Sequence, residues 1–210
     1  MVYVFYSKLE RDAVLSNFDC YLANLPLGFR RSIEVCKDRN TQLLRITGRL
    51  LLHDALKLSG IPEGLHKVKI NSAGRPVLGG NTDCNISHSG DYAICAVSKG
   101  IRVGVDIEQV REVKVSDFLR YFTCEQMEFI ARSKKPKETF FKYWTSLESL
   151  VKAQGDGFSK GVPKIKKVGK ASCFRGGTWY TREIKIAPGY FCSLSVDRPE
   201  VKVMVQAKLY

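Results

Sequence analysis

Hydrophobic residues recur along this chain with two distinct periods. VYVFY (2–6) predicts an opening strand. After Asp38, Leu43, Leu44, Leu51, Leu52 and Leu56 return near the helical period and stop before Gly60, predicting a helix over TQLLRITGRLLLHDALKL. KVKI (67–70) and DYAICAV (91–97) predict strands, separated by the Gly- and Asn-rich loop NSAGRPVLGGNTD. GVDIE (104–108) is a further strand. Thr123 and Gln126 form a capping-box signature for a short helix, TCEQMEFIARSK. Pro136 opens a longer one, KETFFKYWTSLESLVKAQ, stopped by Gly155 and Gly157. TWYTREIKI, YFCSLSV and VKVMVQAKL make the remainder β-rich.

Two stretches echo one another: GDYAICAV (90–97) and PGYFCSLSV (188–196) share a Gly, a Tyr and an alternating strand. The expected fold is α+β, pseudo-duplicated, with an N-terminal half over 1–100 and a C-terminal half over 101–210.

Within GVDIE, residues i and i+2 share a face. Val103, Val105 and Ile107 point one way, and Asp106 and Glu108 project together from the other. Adjacent like charges repel unless a cation or proton is shared, so this is either a solvent-facing strand or a metal site. In the long helix, Phe140, Trp144, Leu147 and Val151 form a core stripe, and Phe141, Thr145, Glu148 and Lys152 form its neighbour. Taken alone, Glu148 and Lys152 read as a surface ion pair. Combined with Asp106 and Glu108, they are the parts that hold Mg²⁺ by oxygen and set a cation beside a phosphate. AGRPVL (73–78) and NISHSGDY (85–92) supply an Arg and a His in expected loops.

Composition narrows the partners. The 210 residues carry 34 Lys and Arg against 21 Asp and Glu, a formal charge of +13, which suits a polyanionic partner. Nucleic acid, an acidic protein and a phosphorylated cofactor all qualify, but no RNP motif, zinc finger or aromatic-interleaved basic helix is present. The seven cysteines are scattered and the three histidines lack metal spacing, against a disulfide framework and a zinc cage. No run approaches the ~18 apolar residues of a membrane span, and the first residues lack a signal peptide's features, so a cytoplasmic address is expected.

NISHSGDYAICAV, then GVDIE, then FKYWTSLESLVKAQG resemble, in order and separation, three motifs of the Sfp-type 4′-phosphopantetheinyl transferases. The match runs over about 75–155, and the GRLLL helix and GRPVL loop extend it. The resemblance implies Mg²⁺-dependent transfer of the phosphopantetheine arm from coenzyme A to a serine of an apo carrier protein, releasing 3′,5′-ADP. It also implies two similar α+β halves with the active site in the cleft between them. By position, Asp106, Glu108 and Glu148 would hold Mg²⁺ against the pyrophosphate. Glu148 would help deprotonate the serine, directly or through a metal-bound water. Lys152 would steady the phosphate charge and assist the leaving group. Arg75, Ser87 and His88 would contact the coenzyme A phosphates, with His88 near the 3′-phosphate. Arg30, Arg31, Arg45 and Arg49 are further candidates for the 3′-phosphate or adenine. The partner is expected to be an acidic carrier and the enzyme a monomer, with neither nucleic acid nor membrane involved; the basic run KGVPKIKKVGK (160–170) reads as a solvated face, with steering of the carrier as its alternative role. One departure stands out: Leu147 replaces the lysine the family usually has before the helix glutamate. It leaves open a weakened relative that binds carriers or coenzyme A without efficient transfer.

Overall fold

Strand β1 (Val2–Lys8) is buried on both faces, which places it inside a layered structure rather than on its surface. The computed structural model of the chain describes residues 1–61, 64–158, 165–168 (backbone alone at 166–168) and 170–210. The basic run at 160–170 therefore lies largely outside the described residues. β1 pairs antiparallel with β5 (Tyr92–Lys99), and β5 with β4 (Thr82–Ser89). The last strand, β11 (Val203–Ala207), returns to the far edge of β1 and runs parallel to it, giving the order β11-β1-β5-β4. A second sheet follows the order β6-β10-β9-β8-β7, with β6 at Val103–Gln109, β7 at Lys166–Val168, β8 at Ala171–Phe174, β9 at Gly177–Glu183 and β10 at Tyr190–Val196. The protein is α+β.

Alternation within the strands builds the layers. Phe5, Ala93, Cys95 and Val97 face the long helix α4 (Arg39–Leu58) and its Leu43, Leu44, Leu51, Leu52 and Leu56. Val2, Val4, Ile94 and Ala96 point the other way and meet Val103, Val105, Ile107, Leu194 and Val196 of the second sheet. The outer face of that sheet is covered by α6 (Pro136–Gln154). The order is helix, sheet, sheet, helix; apolar cores fill the first two interfaces, and under α6 an apolar cluster at Phe174 and Trp179 adjoins buried hydroxyl pairs, Thr145 with Ser193 and Ser149 with Ser195.

Local chemistry sets the helix ends. The Asp38 side chain accepts the Thr41 N–H at the start of α4, at 2.7 Å. Thr123 and Gln126 close the expected capping box on α5 (Cys124–Arg132). Pro136 is the first residue of α6, and Gly155, at φ 98°, ends it in the left-handed region.

Several expectations need correction. NISHS is strand β4, not loop, because Gly90 at φ 58° and Asp91 turn the chain into β5 within a two-residue hairpin. KVKI resolves into a 3₁₀ turn (Gly64–Lys67) and a two-residue strand, β2 (Lys69–Ile70), which pairs with β3 (Pro76–Val77). Residues 11–34, left without elements by the hydrophobic pattern, form α1 (Arg11–Ser16), α2 (Phe18–Ala23) and α3 (Leu27–Glu34). Helices of six to eight residues show too few turns to reveal a period. All seven cysteines are free thiols. Among the described residues no helix is long and apolar enough to cross a membrane.

Candidate active site

The two sheets meet edge to edge at β4 and β6 through side chains rather than a backbone ladder. Alternate residues of β4 accept the N–H groups along the edge of β6: Val105 N–H donates to Asn85 Oδ1 (3.0 Å) and Val103 N–H to Asp83 Oδ2 (2.9 Å). Further along, Ile107 N–H donates to Ser87 Oγ (3.5 Å) and Gln109 N–H to Ser89 Oγ (3.1 Å). Each pair is 20 positions apart, so a strand edge that would be left unpaired is satisfied rung by rung.

The same serines hold the carboxylates. Ser87 Oγ donates to Asp106 Oδ1 at 2.8 Å, and Ser89 Oγ to Glu108 Oε2 at 2.7 Å. Arg111 reaches Glu108 Oε2 at 2.6 Å. Asp106 is only 3 % exposed, so the solvent-facing reading of this strand is wrong. Its face is covered by α6, which rests so closely on Gly104 that an added Cβ would collide with the backbone of Ser149 and Ala153. That contact delivers Lys152, whose Nζ donates to Asp106 Oδ1 (2.5 Å) and Ser87 Oγ (3.0 Å). Burial alone would lower the Lys152 pKa; Asp106 and Glu148 outweigh it and raise the ammonium above its ordinary value. One turn earlier, Glu148 is pushed up to about 7, chiefly by burial, with Lys152 opposing and Asp106 and Glu108 adding to the rise.

His88 points from the other face of β4, toward α4. Its pKa is lowered to about 4 by burial first and then by Arg49, Lys152 and Arg45. Arg45 donates to the Ser32 carbonyl, and Arg49 to Arg45 O (3.0 Å) and Ser32 Oγ (3.4 Å). Neither arginine makes an ion pair among the described residues, and Arg49 Nε is buried without a hydrogen-bond partner. Burial and then Arg45 lower Arg49 to about 10. Unneutralised, inward-facing cations are the makings of an anion site. Of the other candidates, Arg30 donates to Ala23 O (2.6 Å) and Arg31 is exposed.

Arg75 stands in the turn before β3. Its guanidinium donates to both oxygens of Asp83 (2.7 and 2.8 Å), to Val103 O (2.8 Å) and to the Lys152 carbonyl. A pocket of about 140 Å³ opens beside it, lined by Gly74, Arg75, Asn85, Lys152, Gly155 and Gly157. Ser87, His88, Asp106, Glu108, Glu148 and Lys152 thus gather along the β4–β6 seam, between α4 and α6. The sequence reading passed over Asp83, Asn85, Ser89 and Arg111. The alternation D-x-N-x-S-x-S over 83–89, matched to the register of 103–109, was the signal for the first three.

Among the described residues no three His, Cys, Asp or Glu side chains close on one point as a metal cage. The donor set still fits a hard divalent cation. Asp106 Oδ2 is buried without a hydrogen-bond partner, two further carboxylates are electrostatically coupled to it, and all are oxygen ligands.

Leu147 is 6 % exposed and packs with Leu150, Val151, Phe174 and Trp179, a cluster distinct from the carboxylates. Residues 102–188 match the family model of the 4′-phosphopantetheinyl transferase superfamily. The chain is 33 % identical over 110 residues to the 4′-phosphopantetheinyl transferase HetI of Nostoc sp., covering 48 % of this chain and 46 % of that protein. It is 33 % identical over 134 residues to the 4′-phosphopantetheinyl transferase gsp of Aneurinibacillus migulanus (61 % and 54 % covered). To the L-aminoadipate-semialdehyde dehydrogenase-phosphopantetheinyl transferase of Mus musculus it is 28 % identical over 191 residues (74 % and 61 % covered). The chain thus spans about half of the length of the curated relatives it matches. With the ordered motifs lying along one seam and the family match running from β6 through α6, residues 102–188 belong to the 4′-phosphopantetheinyl transferase superfamily.

Proposed function

We propose that this chain transfers the 4′-phosphopantetheine arm of coenzyme A to a serine hydroxyl of an apo carrier protein and releases 3′,5′-ADP. The observation that carries the reading is a juxtaposition across β4. Three carboxylates and Lys152 lie on one side, and His88 with the unneutralised Arg45 and Arg49 lies on the other. A substrate bearing a pyrophosphate and a separate phosphate asks for both.

The serine oxygen forms a bond to the phosphorus next to the pantetheine, and the bond from that phosphorus to the bridging oxygen breaks. Mg²⁺, held by Asp106, Glu108 and Glu148, would neutralise pyrophosphate charge. Glu148, buried beside Lys152, Asp106 and Glu108, takes the serine proton. Lys152 Nζ, held by Ser87 and Asp106, offers its charge to the departing phosphate oxygen. His88, Arg45 and Arg49 receive the 3′-phosphate. The net charge of +13 favours an acidic carrier, and the free thiols suit a reducing cytoplasm, where the enzyme acts as a monomer.

The weakened-relative reading rested on Leu147. Its burial against Phe174 and Trp179 supports a packing role and leaves the carboxylate–lysine cluster whole. The test is to incubate the protein with coenzyme A, Mg²⁺ and a panel of apo carriers, and to weigh the carriers intact. The expected result is a carrier heavier by one phosphopantetheine, abolished by EDTA. Unmodified carriers throughout, with no coenzyme A binding by calorimetry, would overturn the reading.

A further inference from the structure

Arg75 Nη2 lies 2.7 and 2.8 Å from the two oxygens of Asp83, and between them the two side chains close three backbone groups belonging to two other elements. Asp83 accepts the N–H of Val103 while Arg75 donates to the carbonyl of that same residue, so the pair grips the first residue of β6 by both its polar groups. The Arg75 guanidinium also donates to the Lys152 carbonyl, in the last turn of α6, where carbonyls have no partner inside the helix. The arginine side chain is 10 % exposed and its carboxylate partner 25 %, so this ion pair is shielded from water. Lys152 is therefore held at both ends: its backbone by Arg75, its ammonium by Asp106 and Ser87.

We propose that Arg75 and Asp83 form one positioning unit, which sets the end of α6 against β4 and β6 and so places Lys152, rather than serving as direct phosphate ligands. The guanidinium spends its Nη1 and Nη2 groups on protein acceptors. Its charge is already matched by Asp83, whereas Arg45 and Arg49 have no carboxylate partner among the described residues. A phosphate would find its counter-charge in those two residues before displacing the Asp83 carboxylate from Arg75. Lysine cannot replace arginine here, because one ammonium lacks the planar fork that reaches Asp83, Val103 and Lys152 together.

The inference rests on the transferase reading for its kinetic consequence but not for its structural one, and two readouts separate them. The variants are Arg75→Lys, Asp83→Asn and the double substitution, studied well below their melting temperatures. For a positioning unit, each single variant lowers kcat by about tenfold or more while the calorimetric Kd for coenzyme A moves by less than about threefold. The double variant is then no worse than the worse single one, because the two side chains act together. Independently of any activity, amide exchange quickens at Val103 and in the last turn of α6 in all three variants. The opposite pattern overturns the proposal: Arg75→Lys weakens coenzyme A binding about tenfold with kcat retained, and Asp83→Asn leaves kcat unchanged. Should the wild type neither bind coenzyme A nor modify a carrier, the transferase reading fails, and exchange decides the clamp. Unchanged exchange at Val103 and residues 152–155 then overturns it, and quickened exchange upholds it as a structural clamp.

Discussion

His88 offers a quantity that can be worked from the structure and measured directly. In the folded chain its pKa lies at about 4, held down by burial and by the facing charges of Arg49 and Arg45 on α4 and Lys152 on α6. In the unfolded chain it returns to about 6.5. Between these values the unfolded chain binds a proton that the folded chain refuses. Stability therefore rises with pH across this window and falls as the solution is acidified through it. Each pH unit is worth about 1.4 kcal/mol, so acidification from the ordinary value to about pH 5 costs about 2 kcal/mol through this one ring.

Replacing the ring isolates that contribution. Urea unfolding of wild type and His88→Asn at about pH 7 and pH 5 should show the wild type losing about 2 kcal/mol more than the variant, since losses from carboxylates are common to both. Adding 3′,5′-ADP should shrink the difference, because a phosphate beside the ring favours its charged form. Equal losses in the two proteins, or an imidazole seen by NMR to titrate near its ordinary value, would refute the picture of His88 buried among unneutralised cations.

Asp106→Asn should lose transfer activity and also melt earlier, because Lys152 is left half-buried without its carboxylate; an Asp106→Asn/Lys152→Met double variant should recover stability in urea titrations but not turnover. Gly104→Ala should destabilise by about 1–3 kcal/mol or more and reduce kcat with it, since the new methyl must push the backbone of α6, and with it Glu148 and Lys152, away from β6. Leu147→Ala should cost about 2–5 kcal/mol with activity per folded molecule preserved, and Leu147→Lys should lower the melting temperature without raising kcat/KM. The KM for an acidic carrier should climb with ionic strength while kcat holds, as expected when a net charge of +13 speeds encounter.

The long elements were legible because each carries its own signal. α4 shows five leucines at helical spacing between an Asp cap and a glycine, and α6 shows Pro136 at its start and Gly155 at its end. The carboxylate pair was legible too, as two acidic residues on one strand face. What pattern could not say was which face that would be. Alternation gives the two sides of β6 but not what covers them, and Asp106 proved to lie beneath a helix because Gly104 lets α6 descend onto the strand. β4 was misread because its polar residues look like loop. Asp83, Asn85, Ser87 and Ser89 are polar because they substitute for a missing neighbouring strand, a long-range demand that no local window contains. The partners of Arg75 were hidden for the same reason: Asp83 is near in sequence, but Val103 and Lys152 are not.

The return of β11 to the edge of β1 bears on how the chain folds as it is made. Val2 to Tyr6 pair with Val203 to Ala207, so β1 is made long before the strand that covers its outer edge. Until then β1 presents a free row of N–H and C=O groups flanked by Val2, Val4 and Phe5, the kind of edge that recruits strands from other chains. Contacts of this sequence separation make folding slow, since the closure entropy is spent before the pairing repays it. A nascent chain stalled before residue 203 should therefore remain sensitive to protease and prone to self-association, and become resistant only once β11 is free to dock.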